Sequence, residues 1–106
     1  MSKDGGSGPK LNELPIPAGV LDDRDAAEVL RAWVAHQGLH VALLPAFEAP
    51  EPWGMMLVDI ARHAARALAA EKICSEAEAL QRIRSMFDAE WGNATDEGST
   101  AAHRKQ

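Results

Sequence analysis

The stretch PEPWGMMLVDIARHAARALAAE, residues 50–71, decides the fold, because it is the longest run with a clear helical period. Proline fits the first turn of a helix, so Pro50 and Pro52 mark its start. Apolar side chains recur at every third or fourth position and form one stripe: Trp53, Leu57, Ile60, Ala64 and Leu68. This spacing predicts an amphipathic helix that runs from the two prolines to about Glu71.

The first half of this helix is apolar on nearly every side, because Met55, Met56, Val58 and Ala61 lie off the main stripe and Asp59 is its only charge between Pro52 and Ala61. A helix that is apolar all round is normally buried all round, and a domain of about eighty residues has little other structure to cover it. We therefore expect a homodimer, or contact with an unidentified protein partner. The expected interface consists of Trp53, Met55, Met56 and Val58.

Two further elements flank this helix. Upstream, LHVALL (residues 39–44) alternates as a strand does, with Leu39, Val41 and Leu43 on one face and His40, Ala42 and Leu44 on the other. Downstream, SEAE at residues 75–78 has the pattern of a capping box and predicts a helix that ends at Gly92.

Another helix is expected before the strand. Asp22 or Asp23 would cap its start and Gly38 would end it, while its apolar face would hold Ala26, Val29, Leu30, Trp33 and Val34. Residues 14–17, LPIP, must be extended because proline disfavours helical geometry in the residue before it, and they suit the edge of a sheet. The strand's partner stays open: residues 14–17, residues 46–47 folding back, or the same strand across a two-fold axis.

The predicted fold is therefore α+β and has two layers. About three helices form one layer, and they pack on a small sheet that contains residues 39–44. Residues 13–92 would form a single domain between a flexible arm (1–12) and a disordered tail (93–106). The arm is polar and glycine-rich, and the tail is polar and charged.

Composition excludes several classes of function. The net charge of −5 over 106 residues disfavours nucleic-acid binding, which needs a basic surface. A single cysteine, Cys74, rules out an intramolecular disulfide. No apolar run is long enough for a membrane span or a signal peptide, so we expect a cytoplasmic protein that binds no membrane. No pattern of metal ligands or cofactor motif occurs, and neither a metal nor a cofactor is expected.

One cluster could carry chemistry. Asp59, Arg62, His63 and Arg66 are three, four and seven residues apart, so they share one helix face. Asp59 could orient the imidazole of His63 while the two arginines hold an anion, and His40 could meet His63 across the sheet. The simpler interpretation is a solvated stripe in which Asp59 pairs with Arg62 or His63.

Several stretches of the chain resemble one family of small proteobacterial proteins catalogued as a domain of unknown function. They are LPIP, LRAWVA, GLHVALLP, WGMMLVDIARH and RIRSMFDAE, spread from residue 14 to residue 90. The resemblance implies a bacterial protein with helices over a sheet, and it brings no catalytic or binding residues. The sequence thus favours a non-enzymatic, homodimeric interaction module. The alternative is a small-anion or metabolite binder, or an enzyme, that uses the Asp59 cluster.

Overall fold

The computed structural model describes residues 11–93 and 98–102. Along the chain it contains a short 3-10 turn (Ala18–Val20), strands β1 (Leu30–Ala35) and β2 (Gly38–Leu43), helices α1 (Glu51–Ala70) and α2 (Glu76–Gly92), and strand β3 (Ser99–Ala102). The fold is α+β, with a three-stranded sheet and two helices.

Strands β1 and β2 form a tight hairpin. They pair antiparallel, with Leu30 opposite Leu43 and Ala35 opposite Gly38, and the two residues between them are His36 and Gln37. Both turn residues have positive φ, 52° and 64°, which is the geometry of a type I′ turn, whose twist matches that of the strands it joins.

This hairpin corrects the sequence prediction of a helix between Asp22 and Gly38. The carboxylate of Asp23 accepts a hydrogen bond from the backbone N–H of Asp25 at 2.9 Å, so it stabilises a turn instead of capping a helix. Gly38 begins β2, and the left-handed conformation falls on the two residues before it. Two helices are therefore present where about three were expected.

Strand β3 completes the sheet from a distant part of the chain. It pairs parallel to β2, with Val41 opposite Thr100 and Leu43 opposite Ala102, and the strand order is β1-β2-β3. The sequence placed residues 99–102 in a disordered tail and offered residues 14–17, residues 46–47 or the same strand of a second copy as partners for the strand. In the structure residues 14–17 form no strand, and Leu14 is 92% exposed. Residues 94–97 and 103–106 of the predicted tail and residues 1–10 of the predicted arm lie outside the described residues.

The two helices confirm the sequence prediction closely. Helix α1 begins one residue after Pro50, and the hydroxyl of Ser75 caps α2 by accepting the N–H of Glu78 at 3.1 Å. The turn between them places Lys72 in the left-handed region (φ 62°) and lets the N–H of Ile73 donate to the carbonyl of Leu68 at 3.0 Å, which closes the end of α1.

Small side chains let the two helices pack closely as an antiparallel pair, which we call the helical pair. Ala65, in the C-terminal half of α1, and Ala79, in the first turn of α2, are the two buried residues of the described chain, 0% and 2% exposed. The helical pair and the sheet are separate: no Cα atom of either helix lies within 8 Å of a Cα atom of any described strand. The expected two-layer packing of helices on the sheet is therefore absent within one copy.

Gly98 allows β3 to dock, and its replacement tests that role. Its φ is +55°, and a Cβ built there would lie 1.8 Å from the carbonyl oxygen of Leu39. We expect Gly98→Ala to displace β3 and to abolish the hydrogen-exchange protection of the Thr100 and Ala101 amides. The combined strain and overlap should cost about 1–3 kcal/mol of unfolding free energy.

Gly54→Ala is the matched control, because nothing lies within 4 Å of its added Cβ in helix α1. It should be neutral or stabilising by up to about 1 kcal/mol. Retained protection of residues 99–102 in Gly98→Ala would contradict the observed close approach to Leu39.

Candidate functional site

Helix α1 brings the four residues of the predicted cluster onto one exposed face, as the spacing indicated. Asp59, Arg62, His63 and Arg66 all face solvent. The guanidinium of Arg66 lies 3.2 Å from Nδ1 of His63, and since a guanidinium only donates, Nδ1 accepts this hydrogen bond. The arrangement aligns the imidazole with a cation instead of with a carboxylate.

Asp59 does not take the orienting role that the sequence suggested. Within the described part of the chain it makes no hydrogen bond or ion pair, and neither arginine of the cluster has a carboxylate partner. By contrast, Arg84 pairs with Asp88 at 3.1 Å on helix α2. Among the described residues, the guanidinium of Arg62 and the donors of Arg66 that do not bond to His63 therefore remain for an anion.

His40 lies in the sheet, and the structure does not bring it to His63: no Cα atom of a described strand lies within 8 Å of a helix Cα atom. Its Nε2 lies 3.0 Å from the carbonyl oxygen of Ala35, to which it donates, and its Nδ1 is hydrogen-bonded to the hydroxyl of Ser99. With both ring nitrogens occupied, His40 joins the β1–β2 hairpin to β3.

The expected interface residues on α1 are exposed to solvent to different degrees. Met55 is 71% exposed and Val58 50% exposed, while Trp53 and Met56 are half-buried. Trp53 packs edge-to-face with Phe47, with ring centroids 5.6 Å apart and planes at 79°. The start of α1 thus shows apolar side chains to solvent beside an aromatic pair.

Sequence reasoning missed a second apolar surface, on the sheet. Residues directly opposite each other in a strand pair share a face, and on one face of the hairpin every residue is apolar: Leu30, Ala32, Val34, Leu39, Val41 and Leu43. Val34 is 82% and Leu39 49% exposed. The alternation of apolar and other residues in LRAWVA was the available signal, but the same residues also fit a helical period.

The other face of the hairpin holds a charged anchor. Arg31 donates to Glu28 at 3.0 and 3.1 Å and to Glu13 at 3.0 Å. The hydrogen bonds that Arg31 donates to Glu28 and the negative charge of Glu28, with a smaller contribution from Glu13, raise the pKa of the Arg31 guanidinium above its ordinary value. These contacts hold the segment near residue 13 beside β1, where an open groove of about 540 Å³ runs between them.

No described residues form a metal-binding group of three or more His, Cys, Asp or Glu side chains. Cys74 is free and half-buried. None of the helices among the described residues is both long and apolar enough to pass through a lipid bilayer.

The chain is a small α+β protein with a three-stranded sheet and a helical pair. Its most prominent features are the apolar side chains that the sheet and the helices both expose to solvent. The chain belongs to DUF5076, a domain of unknown function, whose family model matches residues 13–95. This confirms the resemblance to an uncharacterised family.

The chain is also similar to the solved structure of a protein provisionally named a pyruvate dehydrogenase. That protein comes from the photosynthetic bacterium Rhodopseudomonas palustrus CGA009. The two are 51% identical over 94% of this chain and 99% of that chain, with a TM-score of 0.67. No curated protein matches this chain.

The role of His40 in joining the strands can be tested by His40→Leu, which keeps most of the bulk and removes both ring hydrogen bonds. Because each neutral hydrogen bond contributes about 1 kcal/mol, we expect roughly 1–2 kcal/mol of destabilisation and faster amide exchange in β3. Ser99→Ala, which removes one partner, should show about half that effect. Unchanged exchange in β3 for both variants would show that His40 does not hold the strand.

Proposed function

We propose that this protein is a non-enzymatic interaction module that acts as a homodimer. The observation that carries this proposal is the separation of the helical pair from the sheet, although each presents apolar side chains to solvent. A domain is normally built from two packed layers around a shared core. A single copy of this chain has both layers and does not join them.

The energetic cost of the uncovered state supports association. Burying one Leu, Ile, Val, Met or Phe side chain fully is worth about 1.5–3 kcal/mol. Met55, Trp91 and Val34 are 71%, 79% and 82% exposed. Monomeric proteins rarely leave large contiguous apolar patches in water, so a partner surface would lower the free energy of the folded chain.

The proposed contact begins at Trp53, Met55, Met56 and Val58. Phe47 and Trp53 form a rigid aromatic base there, and the two methionines offer flexible, polarisable side chains that adapt to a facing surface. No charged residue other than Asp59 interrupts this part of α1 after Glu51. Such a surface fits protein contact better than catalysis.

Met55→Glu tests the dimer. A charge at this position would have to lose its hydration on association, so we expect the dimer dissociation constant to rise at least about tenfold, which corresponds to about 1.4 kcal/mol. Light scattering across a concentration series measures the mass, and circular dichroism checks that the variant stays folded.

Gln81→Glu is the control, because it adds the same charge to the exposed polar face of α2 and should leave the dimer intact. A wild-type chain with the 11.4 kDa mass of one copy at high micromolar concentration would refute the homodimer.

A second candidate function is favoured by the two arginines of α1 that lack a carboxylate partner. Arg62 and Arg66, with His63 hydrogen-bonded to Arg66, could bind a small carboxylate or phosphate. The provisional name of the 51% identical structure makes pyruvate the first anion to test. All four residues of the cluster are exposed to solvent, which weighs against tight binding, so this function ranks below the first.

Titration calorimetry with pyruvate and with inorganic phosphate tests the anion site. If it exists, the wild-type chain should bind at least one anion, and Arg66→Ala should weaken binding at least about tenfold. Arg84→Ala removes an arginine that Asp88 already neutralises and should have little effect. No heat with either anion, or equal loss in both variants, would exclude a specific site at Arg62, His63 and Arg66.

A further inference from the structure

We propose that the two copies of the dimer exchange their helical pairs, so that α1 and α2 of one copy cover the apolar sheet face of the other. This inference rests on the proposed homodimer and adds which surfaces meet. In such an exchanged dimer, the helical pair of one copy supplies the second layer that the sheet of the other copy lacks.

The sheet supplies one half of the contact. Three cross-strand pairs, Leu30 with Leu43, Ala32 with Val41, and Val34 with Leu39, stack along one face. Strand β3 extends that face with Thr100 and Ala102, which lie opposite Val41 and Leu43. No charged side chain occurs on it. A sheet face of this composition normally packs against helices or a second sheet.

The helical pair supplies the other half. Ala65 and Ala79 are its two buried residues, while several larger apolar side chains of both helices stay exposed. On α1, Leu57 and Ile60 remain 44% and 43% exposed. On α2, Phe87 and Trp91 stack with centroids 5.5 Å apart and remain 44% and 79% exposed. Their i, i+3 and i, i+4 spacing places each pair on one side of its helix.

The linker between sheet and helices, residues 44–50, favours exchange over folding back. Pro45 and Pro50 restrict its backbone at both ends. Between them, Phe47 packs on Trp53 of α1, which fixes the linker to the helical pair instead of leaving it as a free hinge. Exchange of an identical element between two copies is a low-cost route to a dimer, and a linker that keeps the helical pair off its own sheet leaves that element available for exchange.

A second copy fits this surface better than an unrelated partner, because each chain carries both of the faces that need covering. In a two-fold symmetric exchange, the helical pair of each copy covers the apolar sheet face of the other. All four apolar faces are then buried, and none remains to bind a third copy. The large apolar side chains of the proposed contact surfaces expose roughly 900 Å² per chain, taking about 200 Å² for a fully exposed one; they are Val34, Leu39, Met55, Leu57, Val58, Ile60, Phe87 and Trp91. A standard interface buries about 800 Å² per partner, so this area is sufficient.

Cross-linking between two distinguishable copies tests the exchange. In a Cys74→Ser background, one chain carries Val34→Cys on the sheet, and a chain with a different affinity tag carries Ile60→Cys on α1. The chains are unfolded and refolded together and then treated with a short bis-maleimide. A second combination, Val34→Cys with Trp91→Cys, repeats the test at two positions that are 82% and 79% exposed, where replacement removes little of the chain's own packing.

We expect a product that carries both tags and has the mass of two chains, at least about tenfold more abundant than with Arg66→Cys on the polar face of α1. The enrichment follows from the high effective concentration of groups that the dimer holds together. When both cysteines are placed on one chain, the cross-link should still join two chains.

Three results separate the possible failures. A monomer mass before cross-linking would overturn both the exchange and the homodimer. A dimer in which the double-cysteine chain gives only an internal, single-chain cross-link would overturn the exchange and leave the homodimer standing. A dimer in which neither cysteine combination exceeds the Arg66→Cys control would also overturn the exchange alone.

Discussion

An apolar sheet face has to be covered by a second layer, and in this chain the layer that could cover it is held elsewhere. The hairpin of β1 and β2 presents an unbroken apolar face, and the helical pair presents Leu57, Ile60, Phe87 and Trp91, yet no helix Cα atom lies within 8 Å of a Cα atom of a described strand. Since hydrophobic burial is the dominant favourable term in folding, two buried alanines in the helical pair are a small core for such a chain. The proposed homodimer, and the exchange within it, both follow from this one mismatch.

The sheet depends on local devices that leave this face free. The turn at His36 and Gln37 sets the register of the hairpin, and Gly98 lets β3 approach the backbone of Leu39 where a Cβ would collide. On the opposite face, His40 bonds to Ala35 and Ser99, while Arg31 holds Glu13 and Glu28. The polar contacts therefore lie on the side of the sheet that also carries Trp33, and the other side is apolar throughout the hairpin.

The helices could be predicted from the sequence because their signals are local: prolines at the start of α1, a serine cap on α2 and a regular apolar period in each. The strand at residues 38–43 was predictable for the same reason. Strand β1 was not, because LRAWVA fits both a helical and an alternating pattern, and His36-Gln37 lacks the glycine that usually marks a two-residue turn. Strand β3 consists of the small residues STAA and gains its conformation only from pairing with β2. Of the candidate site, spacing placed Asp59, Arg62, His63 and Arg66 on one face, but it could not show that His63 would bond to Arg66 or that His40 would bond within the sheet.

The dependence of stability on protein concentration tests most directly whether a second copy completes this fold. When folding and association are coupled, mass action raises the midpoint of denaturation as the chain becomes more concentrated. Urea unfolding followed by tryptophan fluorescence, at two protein concentrations that differ about a hundredfold, should show a clearly higher midpoint in the concentrated sample. The same midpoint in both samples, with a single cooperative transition, would show that one copy is stable alone and would contradict the account.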